Sequence, residues 1–403
     1  MKPTTRAAAA LAASVSILAP LLLSSTGAAG EGAGRGERLA APTPSYAPIV
    51  KKRKIAPGLT FTKITERQIP LRTYVLRMQP SKPVTLDVAL ATAAMPSRRT
   101  VQEIARANDA LAAVNGDFTD PDVGRPTHPF AQDGDLLQTA VQRGPLFALS
   151  QDERRAYLGK PELRISVIER SSGRSWRIDR WNQGSPAPGE IVGYSPLGGS
   201  LEFAPGYTCS VRLLPDGPRS FDADGTAVIA DYVVDVAACD QAPMDRNGGV
   251  VLSAPPATDE ATELLAMAPG TPMRLRWSLD WVGVADVVGG MPVLVQDGRA
   301  VATTCGTSFC RANPRTGIGY TANGGIILVV IDGRQNRWSR GATLREFADI
   351  MRDLGAVEAL NLDGGGSTTM VVEGEVVNRP SDGSQRNISN AVLVLPGPDP
   401  GEG

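Results

Sequence analysis

The chain has 403 residues, with 41 basic and 42 acidic side chains, one histidine and four cysteines. A formal charge of −1 offers neither the basic excess of a nucleic-acid binder nor a polybasic attraction to an anionic membrane. The lone histidine, His128, excludes zinc sites built on two or three imidazoles of one chain and the H-E-x-x-H protease helix, and any histidine-assisted nucleophile would rest on it alone. Acid–base chemistry is therefore expected from carboxylates.

Residues 1–29 read as a signal peptide. Lys2 and Arg6 precede an apolar stretch over residues 7–23, broken by Pro20, and Gly27-Ala28-Ala29 supplies small residues for cleavage. The stretch is shorter than the roughly 20 residues of a membrane span. The expectation is a secreted protein with no membrane attachment after cleavage. Removing Lys2 and Arg6 leaves 39 basic against 42 acidic residues. Residues 30–57, rich in Gly, Ala and Pro and carrying Lys51-Lys52-Arg53-Lys54, read as a flexible linker. Export permits disulfides. The cysteines allow three pairings, and Cys305–Cys310 with Cys209–Cys239 is favoured over a catalytic thiol or a zinc site, since no C-x-x-C pair occurs.

Beyond the linker, Leu71–Met78 and residues 84–91 alternate as strands around a Pro-Ser-Lys-Pro turn. Thr100-x-x-Glu103 is a capping box and predicts a helix to about Asn108. Residues 111–114 form a short strand ending in Asn115-Gly116-Asp117-Phe118. Residues 152–280 hold several short strand candidates between Pro- and Gly-rich turns, read as a β-rich insertion. The continuous apolar run Ile326–Ile331 suits a buried strand. A second capping box, Thr343-x-x-Glu346, opens a helix with Leu344, Phe347, Ala348, Met351 and Leu354 on one face and Gly355 as its C′ residue. A strand over residues 357–362 then ends at Asp363. The two cap–helix–strand units suggest an internal duplication whose Asn-x-Asp ends would face a shared cleft.

The densest polar loops lie in the last third. Asp363-Gly364-Gly365-Gly366-Ser367-Thr368-Thr369 can bring backbone close to a ligand and offer N–H groups to an anion. It lacks the lysine of a nucleotide phosphate loop. Arg315 and Arg386 are candidate anion clamps, because a planar guanidinium holds phosphate through two hydrogen bonds. Asp332, Asp363 and Asp382 are the candidate acid–base or metal-binding carboxylates. His128, in Pro126-Thr127-His128-Pro129, reads as a loop residue at the periphery of a site.

These motifs in series resemble the phosphodiester glycosidase family: the G-G-x-P-x-L stretch from Gly289, then N-P-R-T-G-I-G, S-R-G-A-T-L-R-E-F-A, A-L-N-L-D-G-G-G-S-T-T-M, and P-S-D-G with R-N-I-S-N-A-V. A weaker match continues in A-A-V-N-G-D-F and the Asp133-Gly134 turn. The resemblance implies one domain over residues 58–397, with a core at 58–150 and 285–397, the β-rich insertion at about 152–280, and a tail at 398–403. It implies an α+β fold of twisted, mostly antiparallel or mixed sheets flanked by helices, and hydrolysis of a sugar–phosphate bond. By motif position, Asn115, Arg315, Thr316, Asp332, Asp363, Gly364, Gly365, Gly366, Ser367, Asp382 and Arg386 inherit site roles. The pattern usually shows N-G-G and two aromatics; here Asp117 replaces the second glycine and Thr119 the second aromatic.

A phosphate monoester leaves readily, its second pKa being near 6. Arginines holding the departing charge can stand in for a general acid. The expected division puts Arg315 and Arg386 on phosphate, the Asp363 loop around it, and Asp363 or Asp382 as base or nucleophile. No cofactor is required, although Asp332 or Asp363 could hold calcium or magnesium. The expected partner is a sugar phosphodiester or a phosphate-containing glycan of the cell envelope. A non-catalytic envelope polysaccharide binder and a phosphodiesterase cleaving at phosphorus are the alternatives.

Overall fold

The run Ile326–Ile331 shows how the body is layered. Ile326, Leu328 and Val330 enter one hydrophobic core, and Ile327, Val329 and Ile331 enter another on the opposite face of the same strand. Alternation of side chains across a strand with both faces covered requires apolar residues at every position. The computed structural model describes residues 47–139, 143–198, 208–239 and 249–397.

Ile326–Ile331 is central in an eight-stranded antiparallel sheet that runs Ile49–Ala56, Leu59–Glu66, Leu71–Met78, Ile326–Ile331, Arg315–Thr321, Ala356–Asn361, Val293–Gln296 and Arg299–Ala300. One face packs on a five-stranded sheet ordered Glu375–Val376, Met370–Val372, Ala112–Asn115, Asn390–Pro396 and Val84–Leu90. The other face is covered by helix α3 (Leu344–Asp353), which buries Leu344, Phe347, Ala348 and Met351. Helix α1 (Val101–Ala107) covers the far face of the five-stranded sheet with Val101, Ile104 and Ala105. The order of layers is thus helix, sheet, sheet, helix. Both capping boxes form: Thr100 and Thr343 accept from the backbone of Glu103 and Glu346, whose carboxylates return to the cap N–H. Gly355 follows the second helix at φ +93°.

A second five-stranded sheet joins this sandwich to the insertion. Phe130, Leu137, Phe147, Leu149 and Val288 enter the sandwich core, whereas Leu136, Leu146, Ala148, Val284 and Val287 enter a separate core. That separate core belongs to a nine-stranded sheet over residues 164–278, in which helix α2 (Asp259–Leu265) buries Ala261 and Leu264. Among the described residues, Arg180–Trp181 with Val192–Tyr194 is the one parallel pairing.

Two expectations are corrected. The fold is predominantly β rather than α+β, because the helices span only 7, 7 and 10 residues and cap outer faces that the sheets already define. The linker assigned to residues 30–57 ends earlier than expected. Ile49–Ala56 is an edge strand paired along Leu59–Glu66. Its side chains are mostly exposed, so pairing rather than burial holds it, and Lys51, Lys52, Arg53 and Lys54 are the charges that guard a free sheet edge. Residues 1–46 and 398–403, with the expected signal peptide and tail, lie outside the described residues.

Both expected disulfides are formed, Cys209–Cys239 and Cys305–Cys310. Cys209 and Cys239 face each other across paired strands. They close a separation of 30 residues, against 5 for the other bridge. Because a cross-link acts mainly on the unfolded chain and more strongly for longer loops, replacing Cys209 and Cys239 by Ser should cost about 2–4 kcal/mol, and replacing Cys305 and Cys310 less. Denaturant unfolding of the two variants measures the order, and equal losses would contradict it.

Candidate active site

The strand ends of the two facing sheets meet at Asn115. Its Nδ2 donates to the Asp363 carbonyl at 2.7 Å, and its Oδ1 accepts from Thr316 Oγ1 at 2.7 Å and from the Thr369 N–H at 3.1 Å. The Asp363 N–H donates to the Gly116 carbonyl at 3.1 Å, and the Leu362 N–H to the Thr316 carbonyl at 2.9 Å. The two Asn-x-Asp ends therefore do come together, as the repeated units suggested. Asn115 and Thr316 are fully buried, with their side chains engaged by each other and by backbone. They hold the site together rather than face a ligand.

Asp363 is the carboxylate at this junction. Its Oδ1 accepts from the Gly364 N–H at 2.8 Å, and Ser367 supplies a hydroxyl donor. The side chain keeps a partly exposed edge while protein surrounds the rest. Burial pushes its pKa up to about 6; the Ser367 and Gly364 hydrogen bonds and Arg386 oppose that shift, and the charge of Asp117 adds to it. Asp363 thus sits in the range where a carboxylate can take up and release a proton near neutrality.

Arg334 and Arg386 lie over the glycine loop, and Arg315 adjoins it through its backbone. Arg315 is 2% exposed and has no carboxylate partner among the described residues. Its Nε donates to the Ala342 carbonyl at 3.0 Å, and its Nη2 to the Phe309 and Arg311 carbonyls at 2.6 and 2.8 Å. Burial, with help from Arg334, lowers its pKa to about 10. The guanidinium stays charged at neutral pH, and among the described residues Nη1 has no protein acceptor. Arg334 is exposed and reaches over Gly365, where a Cβ would lie 2.9 Å from Nη2. Gly365 also has φ +61°, which an L side chain tolerates poorly. Arg386 donates through Nε and Nη2 to Asp382 Oδ2 at 3.1 and 2.6 Å. It crosses Gly366 so closely that a Cβ there would sit 2.0 Å from Nη2 and 2.1 Å from Asp382 Oδ2.

The loop itself differs from the expected backbone cradle. The Gly364, Gly365, Ser367 and Thr368 N–H groups donate to Asp363 Oδ1, the Pro314 carbonyl, the Gly364 carbonyl and the Gly365 carbonyl. Only the Gly366 N–H in this stretch lacks an acceptor. The glycines serve close approach of side chains more than exposure of donors.

Asp332 is placed differently from a catalytic carboxylate. It is fully buried and accepts from Tyr74 Oη at 2.9 Å, Trp338 Nε1 at 2.7 Å, Asn378 Nδ2 at 3.1 Å and the Arg379 N–H at 2.9 Å. Four donors occupy its two oxygens, so it organises the loop that carries Trp338 and does not fit a cation. Among the described residues, the acidic side chains that gather closely enough to share an ion are Asp87, Asp133 and Asp286, a group that includes neither Asp332 nor Asp363.

Three groups at the junction were not singled out as site residues by the sequence. Arg334 belongs to a turn whose arginine looked no different from any surface arginine. Asp117 and His128 are fully buried and hydrogen-bonded, with Nδ1 2.7 Å from Oδ1. The departure from N-G-G at Asp117 together with the rarity of histidine was the available signal. Truncating Asn115 to Ala would strand the Thr316 hydroxyl and the Thr369 N–H in the core. Since an unsatisfied buried polar group costs about 1–3 kcal/mol, the variant should lose about 3 kcal/mol in denaturant unfolding, and a loss below 1 kcal/mol would contradict the keystone role of Asn115.

A phosphodiester glycosidase family model matches residues 225–395. The N-acetylglucosamine-1-phosphodiester alpha-N-acetylglucosaminidase of Mus musculus is 42% identical over 74 residues, which is 18% of this chain and 14% of that protein. An uncharacterized SPbeta prophage-derived protein, YomE, of Bacillus subtilis (strain 168) is 34% identical over 82 residues, 20% of this chain and 13% of that one. The chain thus spans only a small part of the length of the curated relatives it matches. Among solved structures, a hypothetical protein from Synechocystis is similar at a TM-score of 0.66 and 21% identity, covering 86% of this chain and 64% of that one. A putative exported protein from Burkholderia pseudomallei K96243 is similar at a TM-score of 0.62 and 20% identity, covering 90% and 99%. These two likenesses concern the fold. The matched stretch, residues 225–395, holds Arg315, Asp363 and Arg386, and over it the chain is similar to the phosphodiester glycosidase family.

Proposed function

We propose that the chain is an exported hydrolase that cleaves the sugar–phosphate bond of glycosyl-1-phosphodiesters on an envelope or extracellular glycan. The observation that carries this reading is the placement of Arg334 and Arg386 over the Gly365–Gly366 loop, with the buried cation Arg315 adjoining it through its backbone, beside a carboxylate with a pKa of about 6. Two disulfides support export. No helix among the described residues is long and apolar enough to cross a membrane.

In this reading the arginines bind the phosphate. Arg315 gives a charge that no protein carboxylate competes for, Arg334 and Arg386 close over the loop, and Asp382 orients Arg386. Water oxygen bonds to the anomeric carbon while the bond from that carbon to the phosphate oxygen breaks, and the electron pair leaves with the phosphate monoester. Asp363 either takes the proton from that water or first bonds the anomeric carbon itself. The leaving phosphate needs little protonation, which accords with the absence of a second catalytic carboxylate at Asp332. The names of the curated relatives make N-acetylglucosamine the first sugar to test.

Asp363→Asn should abolish release of free sugar from a glycosyl-1-phosphodiester while the protein stays folded; full activity in that variant would sink the assignment. Hydrolysis in oxygen-18 water should place the label in the sugar, and label in the phosphate would instead indicate attack at phosphorus. Saturable binding with no product would indicate a polysaccharide binder. Because Asp363 works as its carboxylate, kcat/KM should fall about tenfold per pH unit below about 6 and level off above it. A flat profile from pH 4.5 to 7 would argue against Asp363 as base or nucleophile.

A further inference from the structure

Trp338 has three cations around it. The Arg72 guanidinium stacks on the indole at 3.6 Å from the ring centroid, and Arg379 and Lys63 approach it at 5.5 and 5.6 Å. Lys63 also lies 5.1 Å over the Tyr74 ring. Lys51 stands directly opposite Lys63 across the paired strands Ile49–Ala56 and Leu59–Glu66. Like charges in that position repel and weaken a sheet. Among the described residues no carboxylate forms an ion pair with Lys51, Lys63, Arg72 or Arg379. Asp332 bears on Lys63, but four donors already occupy its oxygens. Burial and the Arg72 charge lower the Lys63 pKa, and Lys51 adds to that shift. Positive charge is thus concentrated at one corner of a chain whose formal charge is only −1.

The corner is fixed from beneath. Asp332 accepts from Tyr74 Oη, Trp338 Nε1 and the Arg379 N–H, so one buried carboxylate sets both rings and the base of one cation. The Arg72 N–H donates to Ser339 Oγ at 3.1 Å, and its Nη1 to the Trp338 carbonyl at 3.2 Å. Arg379 is exposed, and Lys63, Arg72 and Trp338 are half-buried, so the charges stay open to solvent. The corner is also continuous with the candidate active site. Arg334, which reaches over Gly365, and Trp338 belong to one turn, and Gln335 between them donates through Nε2 to the Arg379 carbonyl at 3.0 Å. Four residues of chain hold their Cα atoms within about 14 Å of each other.

We propose that Lys51, Lys63, Arg72 and Arg379 around Trp338 form a second anion subsite, which takes a neighbouring phosphate of a glycan whose sugars are joined by phosphodiesters. The cations hold that phosphate, and the half-buried indole lies against an adjoining sugar. A ligand that alternates charge with sugar rings matches a surface that alternates cations with aromatic rings. A repeat held at Arg334 and Arg386 brings its neighbour to this corner. The role of the subsite in turnover rests on the sugar-phosphate reading, whereas its binding rests on the charge pattern alone.

The test compares binding and hydrolysis of a polymer of N-acetylglucosamine units joined through 1-phosphodiesters with those of a single-unit methyl phosphodiester of the same sugar. Neutral dextran, duplex DNA and phosphatidylglycerol vesicles serve as further probes. The wild type should bind the polymer about tenfold more tightly than the single unit, and less so as salt rises. The Lys63→Gln/Arg379→Gln variant should lose about tenfold in polymer affinity, with KM for the polymer rising in step, while kcat/KM on the single unit stays within about twofold. Arg379→Gln alone, at an exposed side chain, is the second variant should the first not fold, and it should weaken polymer binding in the same direction. Unchanged polymer affinity in a folded variant overturns the proposal. Equally tight binding of the wild type to DNA or to the vesicles also overturns it, since the corner would then be a general polyanion or membrane surface. If the polymer binds as expected but neither compound is cleaved, the hydrolase reading fails and the subsite stands. If the single unit is cleaved and the polymer binds no more tightly, the subsite fails and the hydrolase reading stands.

Discussion

The rest of the structure depends on one buried amide. Asn115 ends a strand of the five-stranded sheet, and its three hydrogen bonds reach Thr316 and Asp363 at strand ends of the eight-stranded sheet and Thr369 in the loop between them. Hydrophobic contact between two sheet faces has no preferred position along the strands. A polar clamp buried at the edge of that contact does, because any slip would leave donors and acceptors unpaired. The position of Asp363 relative to Arg315 follows from this clamp, since both residues adjoin strands that Asn115 ties together. The site is thus a by-product of how the two sheets are locked.

Charge is managed around the clamp in two contrasting ways. Arg315 is surrounded by neutral carbonyl oxygens, so its positive charge remains available. Arg386 is paired with Asp382 and is correspondingly less available. Asp332 is saturated by donors, whereas Asp363 accepts fewer and keeps an affinity for protons. The same residue type is therefore saturated by donors in one place and, in another, has its pKa raised by burial while it accepts fewer.

This contrast explains what could be read in the sequence. Both capping boxes, the buried strand Ile326–Ile331 and the Cys305–Cys310 pair were legible, because each rests on spacing within a short window, and Cys209–Cys239 followed as the pair that remained. The Asp363 loop and its arginines were legible as composition. The edge strand Ile49–Ala56 was not, since it carries charge where buried strands carry alternation, and backbone pairing leaves no mark on side-chain type. The saturation of Asp332 was hidden for a related reason: its donors come from three segments of the chain, at Tyr74, at Trp338 and at Asn378-Arg379. His128 looked peripheral because neighbours in sequence say nothing of burial, and Asp117, its partner, lies 11 residues away.

The loop closed by Cys305–Cys310 carries Phe309, and its carbonyl together with that of Arg311 just beyond the bridge provides two of the three acceptors around Arg315. Cys305 is exposed. The covalent bond that ties this loop is thus also the fastening of the cation's solvation shell. One bridge between residues five apart thus closes the loop whose dipoles stand in for water around a buried charge.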